Sequence, residues 1–253
     1  LTVRGGSAGG TLKNENGMIF NIASGGSLTL EENITLTGTN ATGNGGAVYV
    51  DGGNFTMKSG STIANSSVQG TRASGGGVYV MNGTFIMEDG SKITGSSASY
   101  GGGVYVAKGT FTMGGGTISE NKASGDGASG GGVCISGGTF TMSDGAVISK
   151  NTAASSGGGV FVSERGDFTM KGGTIGGPEA ESANSAENGG GVYIFEGTFT
   201  MSDSAVISGN SADGSGGGVY VGGDSPGSST FTMRDRAVIS GNSATSSGGG
   251  VYV

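Results

Sequence analysis

The chain of 253 residues has no histidine and no tryptophan, one cysteine, two prolines and only 12 Lys plus Arg. Each shortage removes a class of protein. Cys134 has no second cysteine to join, so neither an intramolecular disulfide nor a cysteine-based metal site is available, and no metal or other cofactor is expected. Without histidine, the commonest general base and metal ligand is missing. The net charge of −7 comes with no basic run, which argues against nucleic acid and anionic membranes as partners, since both need clustered positive charge. No apolar run approaches the length of a bilayer span, so no membrane insertion is expected of this segment. No signal-peptide pattern stands at Leu1, so a secreted protein would be represented here by a mature portion.

Glycine, by contrast, is abundant, with 60 residues. Glycine at that level marks low complexity when it is aperiodic. Here it is periodic. A Gly-Gly-Gly-Val-Tyr-Val element, with substitutions, places its first valine at Val48, Val78, Val104, Val133, Val160, Val192, Val219 and Val251. The spacing, 26 to 32 residues, is the period of a solenoid whose coils are alike and whose turns differ. Hydrophobic content of 33 % suits such a fold, because each coil needs to cover only its neighbours.

Three short apolar segments recur in every coil, each bounded by Gly, Asn, Asp or Ser, and none shows helical periodicity. In the second segment, Thr-Phe-Thr-Met, alternation sends Phe and Met inward and Thr outward. The inward columns are Phe55, Phe85, Phe111, Phe140, Phe168, Phe199 and Phe231, with Met57, Met87, Met113, Met142, Met170, Met201 and Met233. In the first segment the valines point inward and Tyr49, Tyr79, Tyr105, Tyr193, Tyr220 and Tyr252 outward, with Cys134 and Phe161 as substitutes. The third segment sends in one isoleucine per coil from Ile63 to Ile239, followed three residues later in most coils by Ser66, Ser96, Asn121, Asn151, Asn210 or Asn242. Stacked asparagines can hydrogen-bond from coil to coil. Ala98, Ala123, Ala153, Ala212 and Ala244 then suit a tight corner, and the triple glycine a sharp bend.

The fold expected is an all-β, right-handed, single-stranded parallel β-helix with three short strands per coil and eight to nine coils. It forms one domain over residues 1–253, with 1–19 a degenerate N-terminal coil and 20–253 regular coils. At about 4.8 Å per coil the stack is roughly 40 Å long. Longer corners fall at Ser124–Ser129 and Pro178–Asn188, both placed between the alanine and the triple glycine, and at Gly222–Ser229 between the first two strands. Leu1–Val3 and Val253 read as strand, and an open parallel edge is a template for further coils or for another copy.

The unit Ile-Ser-Gly-Asn-Ser-Ala…Gly-Gly-Gly-Val-Tyr, clearest at Ile207–Tyr220 and Ile239–Tyr252, resembles the repeats of the chlamydial polymorphic outer-membrane proteins. Those repeats pair Phe-x-x-Asn with Gly-Gly-Ala-Ile. This chain has Ile for Phe and mostly Gly for Ala, with Gly45-Gly46-Ala47-Val48 coming closest. It is equally similar to the wider class of adhesin-like β-helix repeat proteins. The resemblance spans roughly residues 20–253. It implies an extracellular, cell-surface passenger domain that mediates adhesion or spacing.

Two outward surfaces are candidate contact sites. One is the tyrosine column, chiefly Tyr79, Tyr105, Tyr193 and Tyr220, because tyrosine is common in recognition surfaces; the alternative is a self-supporting ladder without a ligand. The substitute Cys134 would then be an accessible thiol. The other surface is the Thr-x-Thr rows, Thr110/Thr112, Thr139/Thr141, Thr198/Thr200 and Thr230/Thr232, a hydroxyl lattice resembling ice-binding solenoid faces, which Asn54, Ile86 and Asp167 interrupt. Its plain alternative is threonine's preference for a solvated strand face. The recurrent acids Asp89, Asp144, Asp203 and Asp235 fall where turns favour aspartate, so no catalytic residue is assigned; Asp203 and Asp235 could at most share a weak calcium ion. The function expected is non-catalytic: a surface stalk, adhesin passenger or fibre subunit, with a host or neighbouring-cell surface, or another copy stacked head to tail, as partner. The alternatives carried are an ice-binding solenoid and, less favoured, a polysaccharide-active β-helix enzyme.

Overall fold

A computed structural model describes residues 1–225 and 227–253. The chain winds into an all-β parallel solenoid of about nine turns. A representative coil runs Val104–Val106, Thr110–Met113, Gly116–Ser119 and Lys122–Ala123 before Gly101–Gly103 of its own turn is matched by Gly130–Gly132 of the next. The strand pairings between coils are parallel and the core columns stay in register: Phe111 lies against Phe140, Met113 against Met142, Ile118 against Ile148, with bulges only outside those columns, between Val80 and Thr84 and at Ala23. Register holds because the buried side chains repeat with the coil. A slip by one residue would turn each Phe and Met out to solvent.

The expected strands are all present, and two features are added. The first and second strands belong to one continuous sheet, and in two coils they merge into single ten-residue strands, Val48–Met57 and Val78–Met87. A fourth strand of two residues, such as Ser97–Ala98 or Ser211–Ala212, builds a six-stranded sheet of its own. The alanines expected at a tight corner are therefore strand residues. Ala123 and Ala153 gather with Ala128 and Ala186 into a small second core beside the main one, and Ala98 joins another with Ala41, Val68 and Ala73.

The main core is a set of columns along the axis. Phe55 to Phe199 are fully buried, with ring centroids 4.6–4.8 Å apart through the central pairs from Phe85 to Phe199 and interplanar angles of 5–8°. At the N-terminal end Leu28 and Leu30 take over the Phe and Met columns. At the other end Met233 is 44 % exposed while its partner Met201 is fully buried, since no coil lies over Met233.

A buried polar column runs beside the isoleucines. Asn121, Asn151, Asn184, Asn210 and Asn242 donate in series, each Nδ2 to the next Oδ1 at 2.9–3.0 Å. Each Nδ2 also donates to an isoleucine carbonyl of the preceding coil, Ile93 for Asn121 and Ile118 for Asn151. Each Oδ1 accepts a backbone N–H, as Asn151 does from Asn121 at 3.0 Å. In the two earlier coils Ser96 and Ser66 take the acceptor role with their hydroxyls. Among the described residues no buried side-chain polar atom lacks a partner.

Asn184 completes this column and corrects the placement of one insertion. The extra residues of that coil, including a short 3-10 turn at Ala180–Ser182, lie between Ile175 and Asn184, ahead of the asparagine; Ser185 and Ala186 are already back in register with Ser211 and Ala212. The Pro178–Asn188 stretch is thus not an insertion between alanine and glycine. The extra residues leave the stack at a corner, where they break no column. Pro226, in the Gly222–Ser229 insertion, lies outside the described residues.

The triple glycine does three jobs. Gly101, the first, has φ +61°, the left-handed region that favours glycine. Gly102 is in ordinary φ, yet a Cβ there would meet the carbonyl oxygen of Gly131 at 2.5 Å, backbone against backbone. At Gly103 a Cβ would lie 2.8 Å from the carbonyl oxygen of Gly132 in the next coil and 3.1 Å from Ile118 and Asn121. Only the first position is about the bend; the other two let adjacent coils approach.

Candidate functional site

The first-strand tyrosines stand on the outer side of the large sheet, stacked face to face. Tyr49–Tyr79 and Tyr79–Tyr105 are 5.1 Å apart at 7° and 5°, Tyr193–Tyr220 4.5 Å at 5°, and Tyr220–Tyr252 4.7 Å at 26°. A coil rise of about 4.8 Å is close to the thickness of a stacked ring, so each ring covers its neighbour's face. The column is outward as expected and far less open than expected: Tyr79 is buried, and Tyr105, Tyr193 and Tyr220 are half-buried. Burial pushes the Tyr193 hydroxyl up to about 12, helped by the nearby Tyr220 and Asp224. Burial also raises Tyr105, with Cys134 adding to the effect and a hydrogen bond from Ser136 opposing it.

Cys134 is corrected more sharply. It occupies a tyrosine position in register between Tyr105 and Phe161, and its side chain is too short to reach past them. The thiol is 1 % exposed, and burial, with the Glu164 carboxylate second, raises its pKa. It is a protonated, inaccessible thiol. Its neighbours close over it, and it contributes to the lining of a cavity of about 310 Å³ that also touches Arg72, Tyr100, Tyr105, Phe161 and Glu164. Phe161 leans by 38° from the plane of Tyr193, where the other outward pairs differ by 5–26°. Sequence reasoning saw the substitution and missed the cavity, because an outward cysteine says nothing of what surrounds it.

The threonine rows lie on the same sheet. Thr110 pairs Thr139, Thr112 pairs Thr141, Thr198 pairs Thr230 and Thr200 pairs Thr232. Asp167 breaks the first row between Thr139 and Thr198. The second row is unbroken from Thr112 through Thr141, Thr169 and Thr200 to Thr232. Counting only complete pairs hid Thr169. Thr110, Thr139 and Thr198 are exposed, while Thr112, Thr141 and Thr200 are half-buried.

The acids stay apart. Among the described residues no three of His, Cys, Asp and Glu come together in a way that could hold a metal ion. Asp203 and Asp235 sit at φ +54° and +61° in the turn after the second strand, a backbone role. Asp144 accepts from Ser204 Oγ two coils away, and Asp203 from Ser202 Oγ. No helix among the described residues is long and apolar enough to cross a membrane.

Comparison with curated proteins and with solved structures gives no match. A family model does match: the Chlamydia polymorphic membrane protein repeat, over residues 204–222 and 237–253. Both stretches carry the same parts in the same order, namely the third strand, the column asparagine (Asn210, Asn242), the short fourth strand and the triple glycine. The coils built on Ile207 and Ile239 are thus similar to the Chlamydia polymorphic membrane protein repeat, and they are set in a parallel β-solenoid.

Proposed function

We propose that the chain is a non-catalytic part of a cell-surface protein: a stiff β-helical rod that serves as stalk, adhesin passenger or fibre subunit and presents its outer faces to a host or neighbouring-cell surface. The observation that carries this reading is the unbroken register of the core columns, from Leu28 to Phe231 and Leu30 to Met233, with variation confined to corners. Such a stack resists bending because every coil is tied to the next by sheet hydrogen bonds and shared packing. The match to a repeat named for a membrane protein supports the surface location. The scattered acids and the absence of histidine support a role without catalysis. The test is direct. The purified chain, imaged by electron microscopy and coated on beads, should appear as a rod on the order of 40 Å per copy and should hold beads to cultured cells. Beads that bind no better than albumin-coated ones refute adhesion, and a compact sphere refutes the rod. Head-to-tail stacking of copies is a second proposed contact, read by a sedimentation coefficient that rises with concentration.

The Thr112–Thr232 row favours one other reading, an ice-binding face. Thermal hysteresis that falls on Thr141→Lys would support it; none in the parent protein ends it.

A further inference from the structure

The outward column divides its tyrosines into two sets. Tyr49, Tyr79 and Tyr105 pair in register, Cys134 and Phe161 take the next two coils, and Tyr193, Tyr220 and Tyr252 follow. The second set is the more closely stacked, with centroids 4.5 Å and 4.7 Å apart against 5.1 Å in the first. Rings related by the coil repeat point the same way, so each carbon ortho to a hydroxyl in Tyr193 lies about one centroid spacing from its counterpart in Tyr220. All three side chains are half-buried, so part of each remains open to solvent. The column also tolerates tilting, by 26° between Tyr220 and Tyr252 and by 38° between Phe161 and Tyr193.

Such an arrangement suits one-electron oxidation. The chain has no tryptophan to compete for the oxidant. Its one thiol, Cys134, lies next to Tyr105, where it can reduce a tyrosyl radical of the first set; Phe161, a ring without a hydroxyl, separates it from Tyr193. We propose that Tyr193, Tyr220 and Tyr252 form a dityrosine cross-linking site, at which hydrogen peroxide acting through a haem peroxidase joins adjacent coils. Each phenol gives up one electron and its hydroxyl proton. Two neighbouring radicals then couple through carbons ortho to oxygen, and the ring hydrogens at the new carbon–carbon bond move to the phenolic oxygens, restoring both rings. One molecule of peroxide takes up the two electrons and two protons and leaves as two of water. Tyr220 is the hub, because it has a tyrosine on each side, while Tyr193 and Tyr252 are two coils apart. The bond closes a loop of the chain and so restricts its unfolded state.

This chemistry does not depend on the surface role proposed above, and its failure leaves that role untouched. The test is oxidation of the whole chain, dilute, with hydrogen peroxide and a haem peroxidase, followed by dityrosine fluorescence and by mass spectrometry of protease fragments. A fragment carrying Tyr220 should be found joined to one carrying Tyr193 or Tyr252, in chains that still run as monomers on a denaturing gel, with a yield per chain that dilution does not change. Tyr220→Phe keeps the ring and its stacking and should lose these links. Tyr193→Phe should lose the link to Tyr220 and keep the one between Tyr220 and Tyr252. The oxidised chain should unfold at a higher urea concentration than the untreated one, and Tyr220→Phe treated in the same way should show no such shift. The proposal is overturned if no dityrosine forms, if the links run between copies, if Tyr220→Phe forms as much as the parent, or if the urea midpoint of the cross-linked chain does not move.

Discussion

Asn151 offers the most informative perturbation. Its side chain is fully buried at the middle of the polar column. Its Oδ1 accepts the backbone N–H of Asn121, and its Nδ2 donates to Asn184 Oδ1 and to the Ile118 carbonyl. In Asn151→Ala the Asn121 N–H is left without that acceptor, in a place water does not reach. An orphaned buried donor costs about 1–3 kcal/mol, and each of the two lost donations about 0.5–1.5 kcal/mol net. The expected loss is roughly 2–6 kcal/mol. Asn151→Ser should recover part of it, because Ser66 and Ser96 hold the acceptor role in earlier coils with a hydroxyl alone. Urea unfolding followed by circular dichroism, with equal slopes for the variants, measures both. If Asn151→Ala costs under about 0.5 kcal/mol, or if serine is no better than alanine, the column is decorative and the argument for it is wrong.

Other positions test other parts of the fold. Phe140→Ala, in mid-column, should cost about 3–5 kcal/mol, whereas Phe231→Ala, half-exposed on the terminal coil, should cost much less; equal losses in urea midpoint would contradict the stacked core. Gly102→Ala drives a Cβ into the Gly131 carbonyl and should destabilise by several kcal/mol, while Gly114→Ala, with its nearest neighbour at 3.8 Å and no positive φ, should be neutral or slightly stabilising; thermal melts of the pair decide this. Alkali should weaken the protein in a defined window. Tyr193, Tyr105 and Cys134 all have raised pKa values in the fold, so the unfolded chain gives up these protons first. Their contribution is intact at neutral pH, declines once pH passes the ordinary thiol and phenol values near 9 and 10, and for Tyr193 is gone above about 12. Tyr193→Phe should shrink that decline, and an unchanged pH profile counts against the buried ladder. Cys134 should resist Ellman's reagent until the chain unfolds; rapid labelling of the native protein would show an open thiol.

Periodicity determined a great deal here. The interval of the triple glycine, and alternation within Thr-Phe-Thr-Met, were enough to name a parallel solenoid and to pick out the residues of its buried columns, because in such a fold inside and outside repeat with the coil. The asparagine column was legible for the same reason wherever spacing from the isoleucine was constant, and illegible at Asn184, where eight intervening residues hide it. Tertiary structure decided what lies beside what across coils and corners. It turned the alanines into a fourth strand, separated the three glycines into one bend and two close approaches, and closed the tyrosine faces against each other. It also buried Cys134 beneath its neighbours. An outward side chain is a matter of local alternation and can be read from sequence. Whether it reaches solvent depends on the height of a coil and the size of its neighbours, which only the assembled stack sets.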